Sequence, residues 1–229
     1  MRILSAGAAL AVLAFPACAR GQDAVLDPAA IFPAVDTTYT VSGRDHSDTT
    51  ATAVQSLRRT TRGGVEVWEM AYAHRDATMN MVDTTFFTAS TLLPVTQHRQ
   101  NARHRLEVAF DGPRVRVSRL EAGAAAPAVR EHSFDHPVYA GSMMDIVYRA
   151  LPLAAGYRTR VPFFIPELEE VFWFDVEVVG MEEVRVRGAV TRAWRLHSTL
   201  RGFRDVYWIS PDTRALLKVE SGDASEFIR

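Results

Sequence analysis

Between residues 171 and 221 the chain writes one short apolar-alternating run after another, and each is closed by a turn signal. The runs are 171–179, 182–186, 190–200, 204–209 and 215–221. Gly180, Gly188, Gly202 and Ser210-Pro211-Asp212 punctuate them. Evenly spaced runs with such breaks specify an antiparallel all-β meander. The first half repeats the style, with strands expected at 39–43, 50–62, 65–75, 79–88, 93–99, 104–111, 114–121 and near 128–134. Gly63-Gly64 and Asp111-Gly112 are two-residue hairpin signals.

One segment departs from the period of two. Met144, Val147, Tyr148 and Leu151 recur at i, i+3, i+4 and i+7, which is one face of a helix. Ser142 is the expected N-cap, with Asp145 three residues on as a variant capping box. Asp145 and Arg149 would pair at i, i+4 on the opposite side, and Pro152 stops the helix. A lone short helix in a β chain must bury its apolar face against the sheet.

The strand faces sharpen this. In 65–74 one face carries Trp68, Met70 and Tyr72, yet the other carries Val65, Val67, Ala71 and Ala73. In 171–179, Phe172, Phe174, Val176 and Val178 stand opposite a face that is itself half apolar. A sheet wet on one side would alternate more cleanly. The expected fold is therefore mainly β: a strongly curved antiparallel sheet, a half-barrel or open-barrel meander, with one short helix on its concave face.

The first residues read as a processing segment. Arg2 supplies a positive n-region, residues 3–15 an apolar h-region, and Ala17-Cys18-Ala19 a small-residue cleavage pattern. Residues 1–19 are thus expected to be a signal peptide and 20–36 a flexible tether, ahead of a single β-rich domain at 37–229. Cys18 is the only cysteine, and it stands where a lipobox would place its lipidated residue. Simple cleavage and lipidation both stay open, which puts the chain in the periplasm or anchored to the outer membrane. Neither leaves a thiol in the body for disulfides or Cys-ligated zinc. No later stretch reaches ~18 uninterrupted apolar residues, so no transmembrane span is expected in the mature chain. Net charge is −1 with both signs interspersed, which offers no basic field for nucleic acid.

The C-terminal third resembles a family of exported bacterial proteins of unassigned function, the DUF3108 family. The residues that carry the resemblance are Leu151-Pro152-Leu153 with Gly156, then Val176, Val178, Gly180, Glu182 and Val184. Ala193, Arg195 and Leu196 follow, and then Trp208, Ser210, Asp212, Arg214, Leu216-Leu217-Lys218 and Glu220. That family is similar to the half-barrel class of envelope proteins of LolA/LolB/RseB type. The resemblance implies a curved antiparallel sheet wrapped around helices, with an apolar cavity.

Candidate chemistry is thin. His132 and His136 have helical metal-ligand spacing, but Ser133-Phe134-Asp135 and Pro137 argue for a strand end and loop, so no metal is expected. Glu167, Glu169, Glu170, Asp175 and Glu177 read as solvated charge, and His98 and His104 as surface residues among arginines. No nucleophile elbow or phosphate loop is present, so no catalytic residue and no cofactor is assigned. What remains is the aromatic and methionine inventory: Trp68, Met70, Tyr72, Met143, Met144, Tyr148, Phe172, Phe174, Trp194 and Trp208. These residues form either a filled core or the wall of a ligand cavity. Phe163, Phe164 and Ile165, between Pro162 and Pro166, read as an apolar loop that tucks back as a lid or touches a membrane or partner. Three functions follow. The first is a non-enzymatic envelope protein holding an acyl chain, lipid or lipidated peptide. The second is an assembly partner of another envelope protein, with a filled core. The third is a hydrolase with an unrecognised site.

Overall fold

The computed structural model describes residues 24–43, 51–75, 80–221 and 225–228. The expected signal peptide and Cys18 lie outside them. The N-terminal half is a run of eight strands: β1 Ala34–Gly43, β2 Ala51–Arg62, β3 Val65–Arg75, β4 Asn80–Thr88, β5 Pro94–Gln100, β6 His104–Asp111, β7 Arg114–Glu121 and β8 Ala128–Ser133. After a short β9 (Tyr139–Ala140), a 3-10 turn (Gly141–Met143) leads into the helix α1, Met144–Ala150. The second half holds β10 Arg158–Ile165, β11 Glu170–Val186, β12 Ala189–Leu200, β13 Phe203–Ile209, β14 Leu216–Ser221 and β15 Ser225–Ile228.

Among the described residues, all fifteen strands form one sheet in the order β8-β7-β6-β5-β4-β3-β2-β1-β15-β14-β13-β12-β11-β10-β9. Every pairing is antiparallel except β9 with β10. The first and last of these strands, β1 and β15, pair in the middle of the sheet, Thr40 opposite Ile228. The two sheet edges, β8 and β9, are joined only by residues 134–138. Laid flat, fourteen strand spacings of about 4.8 Å would part those edges by ~67 Å, whereas six Cα steps reach about 20 Å. The sheet must therefore curl until its ends approach. Ring contacts across the gap agree: Phe110 of β6 lies 6.3 Å from Phe164 of β10, and His132 of β8 lies 5.6 Å from the same ring.

The curl encloses a core that the pleat fills from every side. Leu57, Trp68, Met70, Phe87, Leu106, Val117, Phe163, Phe174 and Leu196 all point inward, and α1 sits among them. All residues from Ile146 to Ala150 are buried. Helix and sheet are locked by specific polar links. Tyr148 and Ser198 of β12 share a hydrogen bond at 2.8 Å. Arg214, held at φ 53° in the β13–β14 turn, donates from Nη1 to the carbonyls of Arg149 and Leu151 at 3.2 and 3.0 Å. Arg149 Nε returns a bond to the Arg214 carbonyl at 2.6 Å. Arg214 thereby caps the carbonyl end of a helix too short to hold itself together. Replacing it with Ala should cost about 1.5–3 kcal/mol, the usual worth of hydrogen bonds to a charged group. Urea unfolding of R214A beside the parent protein measures this.

Four expectations change. The tether ends earlier than residue 36: Asp27 N–H donates to the Ala150 carbonyl at 2.8 Å, and Ala30 and Ile31 are buried against the helix. Ser142 does not cap α1; its Oγ bonds Thr85 Oγ1 at 2.8 Å, because the preceding 3-10 turn aims it at β4. Gly180 does not end a strand. It makes a β-bulge with φ 154° inside the seventeen-residue β11. The extra residue reverses the alternation, so Val184 leaves the inner face and is buried with Ala193 and Trp208 in a small outer cluster. Finally, Phe163, Phe164 and Ile165 are not a loop. They belong to β10, register-paired with β11, Phe163 opposite Phe172. Pro162 is tolerated because β10 lies beside the short β9, whose ladder reaches only Phe163 and Phe164. Entry to the helix is as tight: a Cβ at Gly141 would meet Ile165 Cδ1 at 2.5 Å and the Phe164 carbonyl oxygen at 3.3 Å.

Candidate functional site

A cavity of about 360 Å³ remains between the N-terminal end of α1 and the sheet. Its apolar wall is Ala53 of β2, Met81 of β4, Met144 of α1, and Leu216 and Val219 of β14. Its polar side comes from β2, β3, β5, α1 and β13: Gln55, Tyr72, Arg99, Asp145, Asp205 and Tyr207 line it, with the hydroxyls of Ser142 and Ser221. The volume would hold about a dozen waters at ~30 Å³ each, at the small end of ligand pockets.

Gln55, Arg99, Ser142, Asp145, Asp205 and Ser221 are each held by a polar partner. Gln55 alternates with Ala53 and Leu57 on the inner face of β2. Its Nε2 donates to Asp145 Oδ2 at 3.1 Å and lies 3.4 Å from Met70 Sδ. Asp145 also stands 3.9 Å from Arg149 Nη1. Burial pushes the Asp145 carboxyl above the usual carboxylate range, with Arg149 and Gln55 opposing that shift. Asp205 accepts from Ser221 Oγ at 2.9 Å across the β13–β14 pair. Burial, reinforced by Asp145, pushes the Tyr72 phenol up to about 12. Tyr207 is raised well above its ordinary value by burial, then by Tyr148 and Asp205. Both phenols therefore stay protonated at neutral pH and serve as hydrogen-bond partners, not as bases.

Behind the cavity lies a second polar network. Asp83 of β4 is 1% exposed at its side chain, and accepts from Arg99 Nε and Gln97 Nε2 at 2.6 Å each and from Thr85 Oγ1 at 2.9 Å. Arg99 Nη1 donates to Glu167 in the β10–β11 turn. Burial alone would lower the Arg99 pKa, but Asp83 and Glu167 together raise it, so its cation is firmly held. The same turn grips the opposite edge of the sheet. Arg130 and His132 of β8 reach Glu169 at 3.4 and 3.1 Å.

The expected cavity residues divide unevenly. Only Tyr72 and Met144 line the space. Trp68, Met70, Met143, Tyr148, Phe172 and Phe174 are buried core, and Trp194 packs against that core part-buried. Trp208 stands on the outer face, where its Nε1 donates to Glu182 at 2.8 Å and Lys218 Nζ lies 5.1 Å from its ring. Glu182 also accepts from Arg195 at 3.2 Å. The acidic run is not simply solvated: Glu167 and Glu169 are the ion-pair partners described above. His132 pairs with Glu169, and His136 packs edge-on to Trp173 at 4.6 Å. No group of three or more potential metal ligands forms among the described residues. No helix of the described residues is long and apolar enough to cross a membrane.

Gln55, Arg99, Asp145, Asp205 and Tyr207 were not anticipated as site residues. Gln55 did carry a signal, a polar side chain in phase with Ala53 and Leu57 on an apolar face.

The family model for DUF3108, described as a protein of unknown function, matches residues 33–224. The chain belongs to the DUF3108 family. The match extends far beyond the C-terminal third, and the structure accounts for the residues that carried the resemblance there. In this DUF3108 protein Glu182, Arg195, Trp208 and Lys218 meet on the outer face, while Arg214 clasps the carbonyls at Arg149 and Leu151. These are contacts that hold the fold, not the cavity. No curated protein and no solved structure matches the chain.

Proposed function

We propose that this DUF3108 protein is an exported, non-enzymatic binding protein of the bacterial cell envelope that takes the end of an acyl chain or a lipid tail between α1 and the sheet. The leader pattern of residues 1–19 supports the envelope assignment. The single observation that carries the binding reading is the cavity at the foot of α1, with an apolar wall on one side and polar groups on the other. That is the make-up of small-molecule sites. Because the aromatic interior is otherwise filled, the occupant is short. Burying eight methylenes gains about 6 kcal/mol gross at ~0.8 kcal/mol each, less the cost of ordering the chain.

Lipid mass spectrometry on protein purified from its native host, with titration of a fluorescent short-chain fatty-acid probe, tests the reading. Ala53→Phe places a ring in the cavity and should abolish probe binding while the melting temperature stays within a few degrees. A second reading, an assembly partner without a ligand, draws on how completely Trp68, Met70 and Phe87 fill the interior. Absence of any co-purifying lipid, together with probe binding that ignores A53F, would favour it.

A further inference from the structure

The inner face of β13 does not end at the cavity. Phe203, Asp205 and Tyr207 alternate along it, opposite Leu200, Ser198 and Leu196 of β12. Asp205 and Tyr207 line the cavity, so Phe203 carries the same face two residues further, to the rim where β12 turns into β13. It is 78% exposed there, more than any other large hydrophobic side chain among the described residues. One exposed apolar residue alone would mean little. Its neighbours change that.

Arg201 and Arg204 flank Phe203, both exposed, and neither forms an ion pair among the described residues. Arg201 stands at φ 50° and Gly202 at φ 89°, the left-handed pair of a two-residue hairpin turn. The guanidinium carbon of Arg201 lies 5.2 Å from the Phe172 ring, so the tip has a fixed shape. The turn at the other end of β12 is the contrast. Arg187-Gly188 has the same left-handed backbone, but Arg187 donates to the Thr38 carbonyl at 3.2 Å and no aromatic residue adjoins it. The β10–β11 turn, at the same end of the sheet as Phe203, adds the exposed Leu168. Its carboxylates, Glu167 and Glu169, turn to Arg99, Arg130 and His132.

A convex tip of a few side chains cannot supply the ~800 Å² per partner of a specific protein interface. A bilayer surface asks for less: an aromatic ring at the acyl boundary and cations on anionic head groups. Arginine forks also match phosphate oxygens. Export, proposed above, puts a bilayer within reach. We propose that the β12–β13 turn is a membrane-docking lip. Phe203 enters the surface of a bilayer rich in anionic phospholipid, while Arg201 and Arg204 hold its phosphates. Docking there turns the cavity face of β13 toward the lipid.

The test is vesicle binding of the full-length chain. Cys18 is the only cysteine, so Cys18→Ser with Phe203→Cys gives one site for an environment-sensitive fluorophore. Cys18→Ser with Val65→Cys is the control, exposed beside the β2–β3 turn at the other end of the sheet. On vesicles of equal parts phosphatidylcholine and phosphatidylglycerol, the label at 203 should shift to the blue and escape quenching by aqueous iodide. The label at 65 should do neither. Arg201→Gln combined with Arg204→Gln should lower vesicle partitioning about tenfold or more, and Phe203→Ala about fivefold with an unchanged melt. Titration of the fatty-acid probe without vesicles should be the same for the double arginine variant and the parent, so docking and cavity fail separately. Equal shielding at 65 and 203, no shielding at 203, or a double variant that partitions like the parent overturns the docking lip.

Discussion

Phe163→Ala should be among the most damaging single substitutions in this protein, lowering the unfolding free energy by about 3–5 kcal/mol. Phe163 is fully buried on β10 and stands at the centre of an aromatic cluster. Its ring lies 6.1 Å from Tyr139, 5.8 Å from Tyr148 and 5.6 Å from Phe174, the last two edge to face. One ring thus joins the last sheet edge, the helix and β11. Removing it loses the transfer energy of the ring and leaves a hole that three stiff neighbours cannot close. At about 2–4 °C per kcal/mol for a chain of this size, the melt should fall by roughly 6–20 °C. Phe163→Leu keeps much of the volume and should cost about 1–1.5 kcal/mol. Phe203→Ala is the control for hydrophobicity alone: Phe203 is 78% exposed, and its loss should stay within about 0.5 kcal/mol. Calorimetric melts of the three variants measure the ranking. A partner-binding loop would give the reverse, a stable F163A protein.

That contrast shows where local pattern runs out. The meander was legible because its turns are written in the chain: Gly63-Gly64 makes the β2–β3 turn, and Asp111-Gly112 ends β6 and opens the β6–β7 turn. The helix was legible because its period differs from two. Segment 158–165 was not, because Pro162 stands inside it and Pro166 follows it, and prolines argue locally against a strand. What overrides them is remote in sequence, the β11 partner and the cluster beneath. The bulge at Gly180 was similarly hidden, since a glycine that ends a strand and one that kinks it look alike. For the site, aromatic content located the core and not the cavity. Large apolar side chains fill space, and the space left over lies where Gln55, Asp145 and Asp205 resist filling. Which residues those would be depended on the ring closing β2 and β5 around to β13 and β14, a fact of topology that no spacing along the chain encodes.

The Asp83–Arg99–Glu167 network is where that closure is most exposed to a single substitution. Arg99→Met should lower stability by about 3–5 kcal/mol, the usual result of removing one partner from a buried pair. The cause is less the bond that is lost than the carboxylate that is left. Asp83 would keep only Gln97 and Thr85 as neutral donors, with its side chain 1% exposed. Glu167→Gln should cost far less, about 1 kcal/mol or below, because Glu167 is 30% exposed and water can replace the guanidinium. Asp83→Leu combined with Arg99→Met removes both buried charges. It should recover part of the loss, though not all, since Gln97 and Thr85 are left without their acceptor. A double-mutant cycle over Asp83 and Arg99, read by urea unfolding, should therefore give a coupling of about 0.5–3 kcal/mol. High salt should change the R99M effect little, because buried charges are poorly screened. A negligible coupling with E167Q as damaging as R99M would mean that the turn, and not the buried pair, holds the ring together.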